Sequence, residues 1–320
     1  MDMKEITVQL QDKARELLDQ GKVDVVLGFE ESSFPFRARP FFIWNKKDVD
    51  KITWSFFAES NLAVYLPQLN SYRVGIISRG CEVRSMVQLI KEKQVQRDKL
   101  VVIGVECRGI IDRKKIEKEL PHKIIPQEVI LKKEAIVVKS KEFNKVFPVE
   151  DYLCSQCERC CFPNPVISDF FIGEKTQLKK NAGSFPEITQ LEQKSNPKRW
   201  DYFSQQFEKC IRCYACRNVC PMCYCEKCFV DNENPRWVNK EFAIRENLIF
   251  HLVRAMHLTG RCIGCGACSR VCPMEINLEY LTEKMEKEAK QLFGYQAGIN
   301  LEEPSLLATF DLSDQQEFIE

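Results

Sequence analysis

The sequence contains little histidine and glycine, three and 13 residues among 320, and no long apolar run. None of its apolar segments approaches the roughly 20 residues needed to span a bilayer. No G-x-G-x-x-G follows a strand-like run, and no Ser–His–Asp set, carboxylate pair or H-E-x-x-H suggests a catalytic residue. Basic and acidic side chains nearly balance, at 47 and 46, so charge gives no reason to expect nucleic acid or an anionic membrane as a partner.

Cysteine is abundant, with 17 residues in tight clusters. Neighbours such as Cys160 and Cys161 lie too close in sequence for easy disulfide pairing. The N-terminal stretch MDMKEITVQLQDKARELL is charged and helix-periodic and lacks the apolar core of a secretory signal. We therefore expect a cytoplasmic protein whose clustered thiols are kept reduced as metal ligands.

The first half of the chain has the pattern of an α/β domain, which we place at residues 1–175. Short β-branched runs predict buried strands at residues 23–29, 73–78, 100–107 and 135–140. Between the second and third runs, Val83, Met86 and Val87 recur at helical spacing. A strand, a helix and a strand in that order predict a parallel βαβ unit.

The second half is predicted to be mainly helical. Residues 176–200 are polar and are expected to form a linker, followed by a helical domain at 201–295 with amphipathic helices at 238–258 and 278–293. His251 and His257 lie on the first of these helices, where we expect packed or solvent-facing rings rather than ligands. Residues 296–320 are acidic and are expected to be a frayed tail more than a docking segment.

Two C-x₂-C-x₂-C-x₃-C-P runs give the strongest chemical signal. The first comprises Cys210, Cys213, Cys216 and Cys220, and the second comprises Cys262, Cys265, Cys268 and Cys272. In such runs three thiolates hold one cubane, and the fourth cysteine normally ligates the other cluster. We therefore predict one 4Fe–4S cluster on Cys210, Cys213, Cys216 and Cys272, and another on Cys262, Cys265, Cys268 and Cys220. The alternative is zinc, but zinc sites normally use two pairs of ligands.

The segment around the second run, HLVRAMHLTGRCIGCGACSRVCPMEI, resembles the α-helical dicluster ferredoxins of heterodisulfide reductase and succinate dehydrogenase subunits. The first run continues as CIRCYACRNVCPMCYCEKCFVD, which resembles β subunits of formate dehydrogenases that use the deazaflavin coenzyme F420. This stretch adds Cys223, Cys225 and Cys228, which could bind zinc or a further cluster if Cys161 or Cys160 supplied the fourth ligand. Free, partly buried thiols are the competing interpretation.

The resemblance to the β-subunit family of F420-dependent hydrogenases and formate dehydrogenases extends over about residues 20–175. The family motifs appear here as Gly80-Cys81 opening a helix, Gly104-Val105-Glu106-Cys107 closing a strand, Cys154-Ser155-Gln156-Cys157, and Asp169 to Gly173. The resemblance implies a third 4Fe–4S cluster on Cys81, Cys107, Cys154 and Cys157. Cys160 and Cys161 are competing ligands for the same cluster.

Family members that reduce F420 hold a flavin through a Gly-Gly-rich segment near the N-terminus. This chain has DKARELLDQGKVDVVLGFEE instead, so we expect no FAD in it. The resulting hypothesis is a non-catalytic iron–sulfur relay subunit of an anaerobic, cytoplasmic redox complex such as a formate dehydrogenase, a hydrogenase or a heterodisulfide-reductase-like module. The alternative is a flavin-dependent subunit that exchanges hydride with F420 or NAD(P).

Overall fold

The computed structural model describes residues 2–121, 126, 128–141, 143–241, 243–310 and 313. Its helices are α1 (Met3–Asp19), α2 (Gly80–Lys91), α3 (Arg113–Glu119), α4 (Ser155–Glu158), α5 (Pro186–Glu192), α6 (Asn196–Glu208), α7 (Ala215–Asn218), α8 (Ile244–His257), α9 (Ala267–Arg270) and α10 (Glu279–Phe293). Its strands are β1 (Val25–Glu31), β2 (Ala38–Ile43), β3 (Val74–Ser78), β4 (Leu100–Val105), β5 (Glu128–Leu131), β6 (Ala135–Lys139), β7 (Asn144–Pro148) and β8 (Phe170–Ile172). None of the described helices is long and apolar enough to cross a membrane.

The N-terminal half is built on a five-stranded sheet in the order β2-β1-β3-β4-β8. Strands β1, β3, β4 and β8 run parallel to one another, and β2 pairs antiparallel with β1 at the edge. Every residue of β3 is buried, and α2, which connects β3 to β4, buries Val83, Met86 and Val87. The predicted parallel βαβ unit and the α/β class are therefore confirmed.

The fourth predicted strand exists but belongs to a different sheet. β6 lies between β5 and β7 in a separate three-stranded antiparallel sheet. The connections on either side of β6 are only residues 132–134 and 140–143, and such short links allow hairpins but not parallel crossovers. Strand β2 was not anticipated because it contains Pro40, which an edge strand tolerates since one side of its backbone is unpaired.

The C-terminal half is helical, as predicted, and two of its segments are more ordered than the sequence suggested. The expected linker at 176–200 contains α5 and the start of α6, and Lys284 on α10 pairs with Glu192 on α5 at 2.6 Å. The start of the expected tail docks on α2, because Arg84 donates to the Ala297 carbonyl at 2.7 Å. Gly298, at φ +72°, then passes so close that a Cβ atom would lie 2.2 Å from the Arg84 carbonyl. Residues 311–312 and 314–320 of that tail lie outside the described residues.

Candidate iron–sulfur sites

The first cavity lies between α8 and the turns around α7 and α9. Its thiols are Cys210, Cys213, Cys216 and Cys272. Three of them come from the first cysteine run, and Cys272 comes from the end of the second run. The structure therefore brings together the crossed set that the sequence predicts for one cluster.

The second cavity contains the complementary crossed set. Its thiols are Cys220, Cys262, Cys265 and Cys268. The short helices α7 and α9 pack against each other, and each ends just before the fourth cysteine of its run. Each fourth cysteine therefore reaches the cavity formed by the other run. All 17 cysteines are free thiols in the structure.

Both cysteine runs turn through left-handed backbone at equivalent positions. Arg212 and Tyr214 in the first run have φ of 48° and 58°, and Gly264 and Gly266 in the second both have φ of 68°. This conformation costs a non-glycine residue about 1–2 kcal/mol. It aims backbone N–H groups at the thiols, since the Arg212 N–H donates to the Cys210 Sγ at 3.4 Å.

Equivalent N–H groups face buried thiols in the second cavity. Burial raises the pKa of Cys262, and a backbone hydrogen bond from Gly264 acts against that rise. Four soft thiol donors around a largely enclosed space, with amides directed at sulfur, fit a thiolate-ligated 4Fe–4S cluster. No carboxylate or histidine ligand is needed to complete either set.

The third cavity lies at the carboxyl edge of the parallel sheet. It is lined by Cys81, Cys107, Cys157, Cys160 and Cys161. Cys81 follows β3 and Cys107 follows β4, and the carboxyl ends of parallel neighbours meet at one edge of a sheet. The predicted fourth ligand, Cys154, instead lines a neighbouring cavity with Glu59 and Arg270. Cys160, a competing candidate, lines the third cavity itself.

A close backbone contact holds Cys81 next to the segment that contains Cys160. A Cβ atom on Gly80 would lie 1.9 Å from the Phe162 carbonyl oxygen, so only glycine allows this approach. The Phe162 N–H in turn donates to the Cys160 Sγ at 3.4 Å. Gly80 therefore matters for packing more than for a turn.

The third cavity is surrounded by cations. Its walls include Arg79, Arg84, Arg108, Arg159, Lys179 and Glu286, and three of these cations are ion-paired with carboxylates, Arg79 with Glu82, Arg108 with Glu106 and Arg159 with Glu283. Burial raises the pKa of Cys81 well above its ordinary value, and the Arg79 guanidinium opposes that rise. A cationic surround with several thiols fits an anionic, thiolate-ligated cluster.

The three cavities form a row. Cys265, Gly264, Gln156 and Arg159 line both the second and the third cavity. At the other side, the charge of Cys268 in the second cavity raises the pKa of Cys216 in the first, after the larger effect of burial. The second cavity is thus the middle site.

The further set of Cys223, Cys225, Cys228 and Cys161 is dispersed. A hydrogen bond with Cys220 lowers the pKa of Cys223, whereas Cys225 is exposed. Cys161 lines the third cavity, 3.0 Å from the position of a Cβ atom on Gly183. Among the residues that the structure describes, no three His, Cys, Asp or Glu side chains are arranged to hold a single metal ion.

Two side chains of α8 reach the cavities, although sequence reasoning gave neither a role. The His251 Nε2 lies 3.3 Å from the Cys210 Sγ, and its ring stacks on Phe207 at 4.6 Å. Burial, and then the charge of Arg254, lower the pKa of His251 to about 3. Arg254 lines the second cavity. The spacing of His251 and Arg254 could have indicated a shared position, since residues three apart on a helix lie on the same face.

Comparisons with known proteins agree with this geometry. The family model described as 4Fe-4S dicluster domain matches residues 206–276, which include both cysteine runs. The F420-dependent formate dehydrogenase subunit beta of Methanocaldococcus jannaschii is 24% identical over 91% of this chain and 91% of its own length. The F420-dependent formate dehydrogenase 1 subunit beta of Methanococcus maripaludis is also 24% identical, over 91% of this chain and 90% of its own.

A solved structure of the F420-reducing [NiFe] hydrogenase complex from Methanosarcina barkeri matches with 17% identity and a TM-score of 0.38, over 49% of this chain and 62% of that one. The resemblance inferred from the cysteine motifs is confirmed by the two formate dehydrogenase subunits, which align with nearly the whole chain. The chain is therefore similar along most of its length to beta subunits of F420-dependent formate dehydrogenases, and it contains a 4Fe–4S dicluster domain at residues 206–276.

Proposed function

We propose that this chain is the iron–sulfur relay subunit of an anaerobic, cytoplasmic redox complex, and that it holds three 4Fe–4S clusters. The observation that supports this most directly is the row of three thiol-lined cavities, in which neighbouring cavities share walls or lie side by side. A relay needs cofactors close to one another, and the shared walls of neighbouring cavities support this.

A 4Fe–4S cluster, when bound, supplies one-electron transfer. The residues of this chain hold it, exclude water and tune its environment. Crossed ligands in the C-terminal half tie the two cysteine runs into one unit, so neither site is complete without the other run. Backbone N–H groups directed at sulfur, such as that of Arg212, stabilise thiolate charge.

For the third cluster we propose Cys81, Cys107, Cys157 and Cys160 as ligands. All four line the same cavity, which lies beside the middle site. The cations around this cavity, Arg84 and Lys179 among them, offset part of the negative charge of the thiolates. Cys161 is the alternative fourth ligand because it lines the same space.

The first cavity is one end of the row. Cys213 is exposed there, and its neighbours Ile211 and Met274 are 48% and 37% exposed although they line the same cavity. We propose that the partner subunit of the complex exchanges electrons at this surface. The partner would be a formate dehydrogenase, a hydrogenase or a heterodisulfide-reductase-like module, of which the first fits the names of the two relatives.

The test is an iron and sulfide count on anaerobically purified full-length protein. Three clusters require roughly 12 iron atoms per chain, and two require roughly eight. A count near eight would remove the third cluster and leave the dicluster domain. Little iron with stoichiometric zinc would overturn the relay as a whole.

The second candidate function is a flavin-dependent subunit that exchanges hydride with F420. The names of both relatives favour it, since each is an F420-dependent enzyme subunit. The absence of a Gly-Gly-rich segment from the N-terminal sequence favours the relay instead. Acid extraction followed by a flavin assay decides, because one flavin per chain would promote this function over the relay.

A further inference from the structure

Arg254 is a buried cation between the first and second cavities. Its side chain is 5% exposed and lines the second cavity beside Cys220 and Cys268. Its Nη2 also donates to the carbonyl oxygen of Cys216, a thiol residue of the first cavity, at 3.1 Å. One guanidinium therefore touches the walls of both sites.

The charge of Arg254 is not balanced by a carboxylate. Burial alone would lower the pKa of Arg254, but the thiolates of Cys268, Cys220 and Cys223 raise it well above its ordinary value. Within the described part of the chain, no carboxylate forms an ion pair with it and its Nε has no hydrogen-bond partner. Burying an unpaired charge is strongly unfavourable, so such a cation needs negative charge close by. The thiolates of the two adjoining cavities, together with Cys223 beside them, are the available source.

We propose that Arg254 acts on both sites at once and raises the reduction potentials of both C-terminal clusters, a role that rests on the proposed function. When either site accepts one electron, no bond forms or breaks and the site becomes one unit more negative. A fixed positive charge in a low-dielectric interior favours that more negative form. Charge and hydrogen bonding near sulfur are established means by which proteins tune such potentials.

Arg270, the last residue of α9, provides a control that lines neither C-terminal cavity. Its Nη1 donates to the Cys265 carbonyl at 2.7 Å, and its Nη2 donates to the Glu59 carbonyl at 2.8 Å. The thiols that raise its pKa against the effect of burial are Cys154, Cys265 and Cys157, none of which lines the first cavity. Arg270 thus contacts the second site through the Cys265 carbonyl, and its side chain lines the neighbouring cavity with Cys154 and not the first cavity.

The experiment is a redox titration of anaerobically purified full-length protein, followed by electron paramagnetic resonance. Arg254→Gln should shift the potentials of both C-terminal clusters negative by about a tenfold change in equilibrium constant, which is 59 mV for one electron. Arg254→Lys, which keeps the charge, should stay close to the wild type. Arg270→Gln should shift the second cluster and leave the first unchanged.

The outcomes separate the role of Arg254 from the proposed function. If the wild-type protein lacks both four-iron signals, the proposed function fails and this role fails with it. If both signals are present and Arg254→Gln moves only one of them or neither, the role alone is overturned. If Arg254→Gln loses the clusters and Arg254→Lys keeps both, the sites require a positive charge at this position, which supports the proposal. Equal loss or equal shift in Arg254→Lys shows that packing matters instead, and overturns the proposal.

Discussion

The two C-terminal cavities and the cavity of the α/β domain gather their thiols in different ways. In the C-terminal region each site takes three cysteines from one short run and a fourth from the other run. In the α/β domain, Cys81 and Cys107 follow separate strands, Cys157 lies in the short helix α4, and Cys160 follows that helix. The first arrangement depends on local spacing, and the second depends on the topology of the sheet.

This difference has a structural consequence. The crossing of the C-terminal ligand sets depends on the packing of α7 against α9, two helices of four residues each. The third site needs the β3–β4 pairing, the α2 start and the close contact at Gly80 to be in place together. Disruption of the sheet should therefore remove the third site and spare the other two.

The largest expected effect comes from breaking the crossed ligation. Cys220→Ser should perturb the cluster built on Cys262, Cys265 and Cys268, and Cys272→Ser should perturb the one built on Cys210, Cys213 and Cys216. Each change replaces a soft thiolate with a harder, weaker hydroxyl ligand, so the affected cluster should be lost or degraded to three irons. Electron paramagnetic resonance distinguishes the two signals. Cys225→Ser, at an exposed thiol, is the control. If each change instead damaged the cluster held by its own cysteine run, the crossed ligation would be wrong.

The second comparison sets Cys160 against Cys154. Cys160→Ser should lower the iron content by about four atoms per chain, the content of one cubane, because Cys160 lines the third cavity. Cys154→Ser should keep the full iron content, since Cys154 lines the neighbouring cavity with Glu59. Iron analysis and spectroscopy of the two variants suffice. The opposite pattern would restore the ligand set that the family resemblance implies.

The sequence predicts the local features of this protein well and the long-range features poorly. The crossed sets in the C-terminal half follow from a spacing rule, and the structure brings each set together. The proposal of Cys160 instead of Cys154 as the fourth ligand is supported by a contact between Gly80 and Phe162, which are 82 positions apart in the sequence. No local sequence pattern reveals that contact. The position of β6 in a separate sheet was missed for a similar reason, because a buried strand has the same composition in either sheet.

Gly80→Ala tests whether the third site depends on the close backbone contact at Gly80. The added Cβ would lie 1.9 Å from the Phe162 carbonyl, so the chain must shift, at a cost of about 1–3 kcal/mol for overpacking. Thermal unfolding should show the loss of stability, and the third cluster should bind less iron while the C-terminal signals persist. Gly21→Ala is the matched control, because a Cβ there meets nothing within 4 Å, although its φ of +60° adds some backbone strain. If both changes lowered the iron content equally, the third cluster would not depend on the contact at Gly80.

The smallest expected effect concerns His251, which sharpens the comparison within the C-terminal pair. An imidazole N–H that faces a thiolate donates to it, and the His251 Nε2 lies 3.3 Å from the Cys210 Sγ. His251→Phe keeps the aromatic stack on Phe207 but removes the donor, so the cluster at the first cavity should become harder to reduce. A net hydrogen-bond contribution of about 1 kcal/mol corresponds to a negative shift of about 40 mV for one electron.

The second cluster should keep its potential in His251→Phe, because Cys210 lines only the first cavity. His257→Phe, on the same helix, is the control, since that ring packs edge-on against Phe229 at 5.5 Å and lines neither cavity. A redox titration of both variants measures the difference. An equal shift of both clusters in His251→Phe would show that a change in α8 packing, rather than one hydrogen bond, had altered the sites. The effect would then resemble the one expected from the shared cation Arg254.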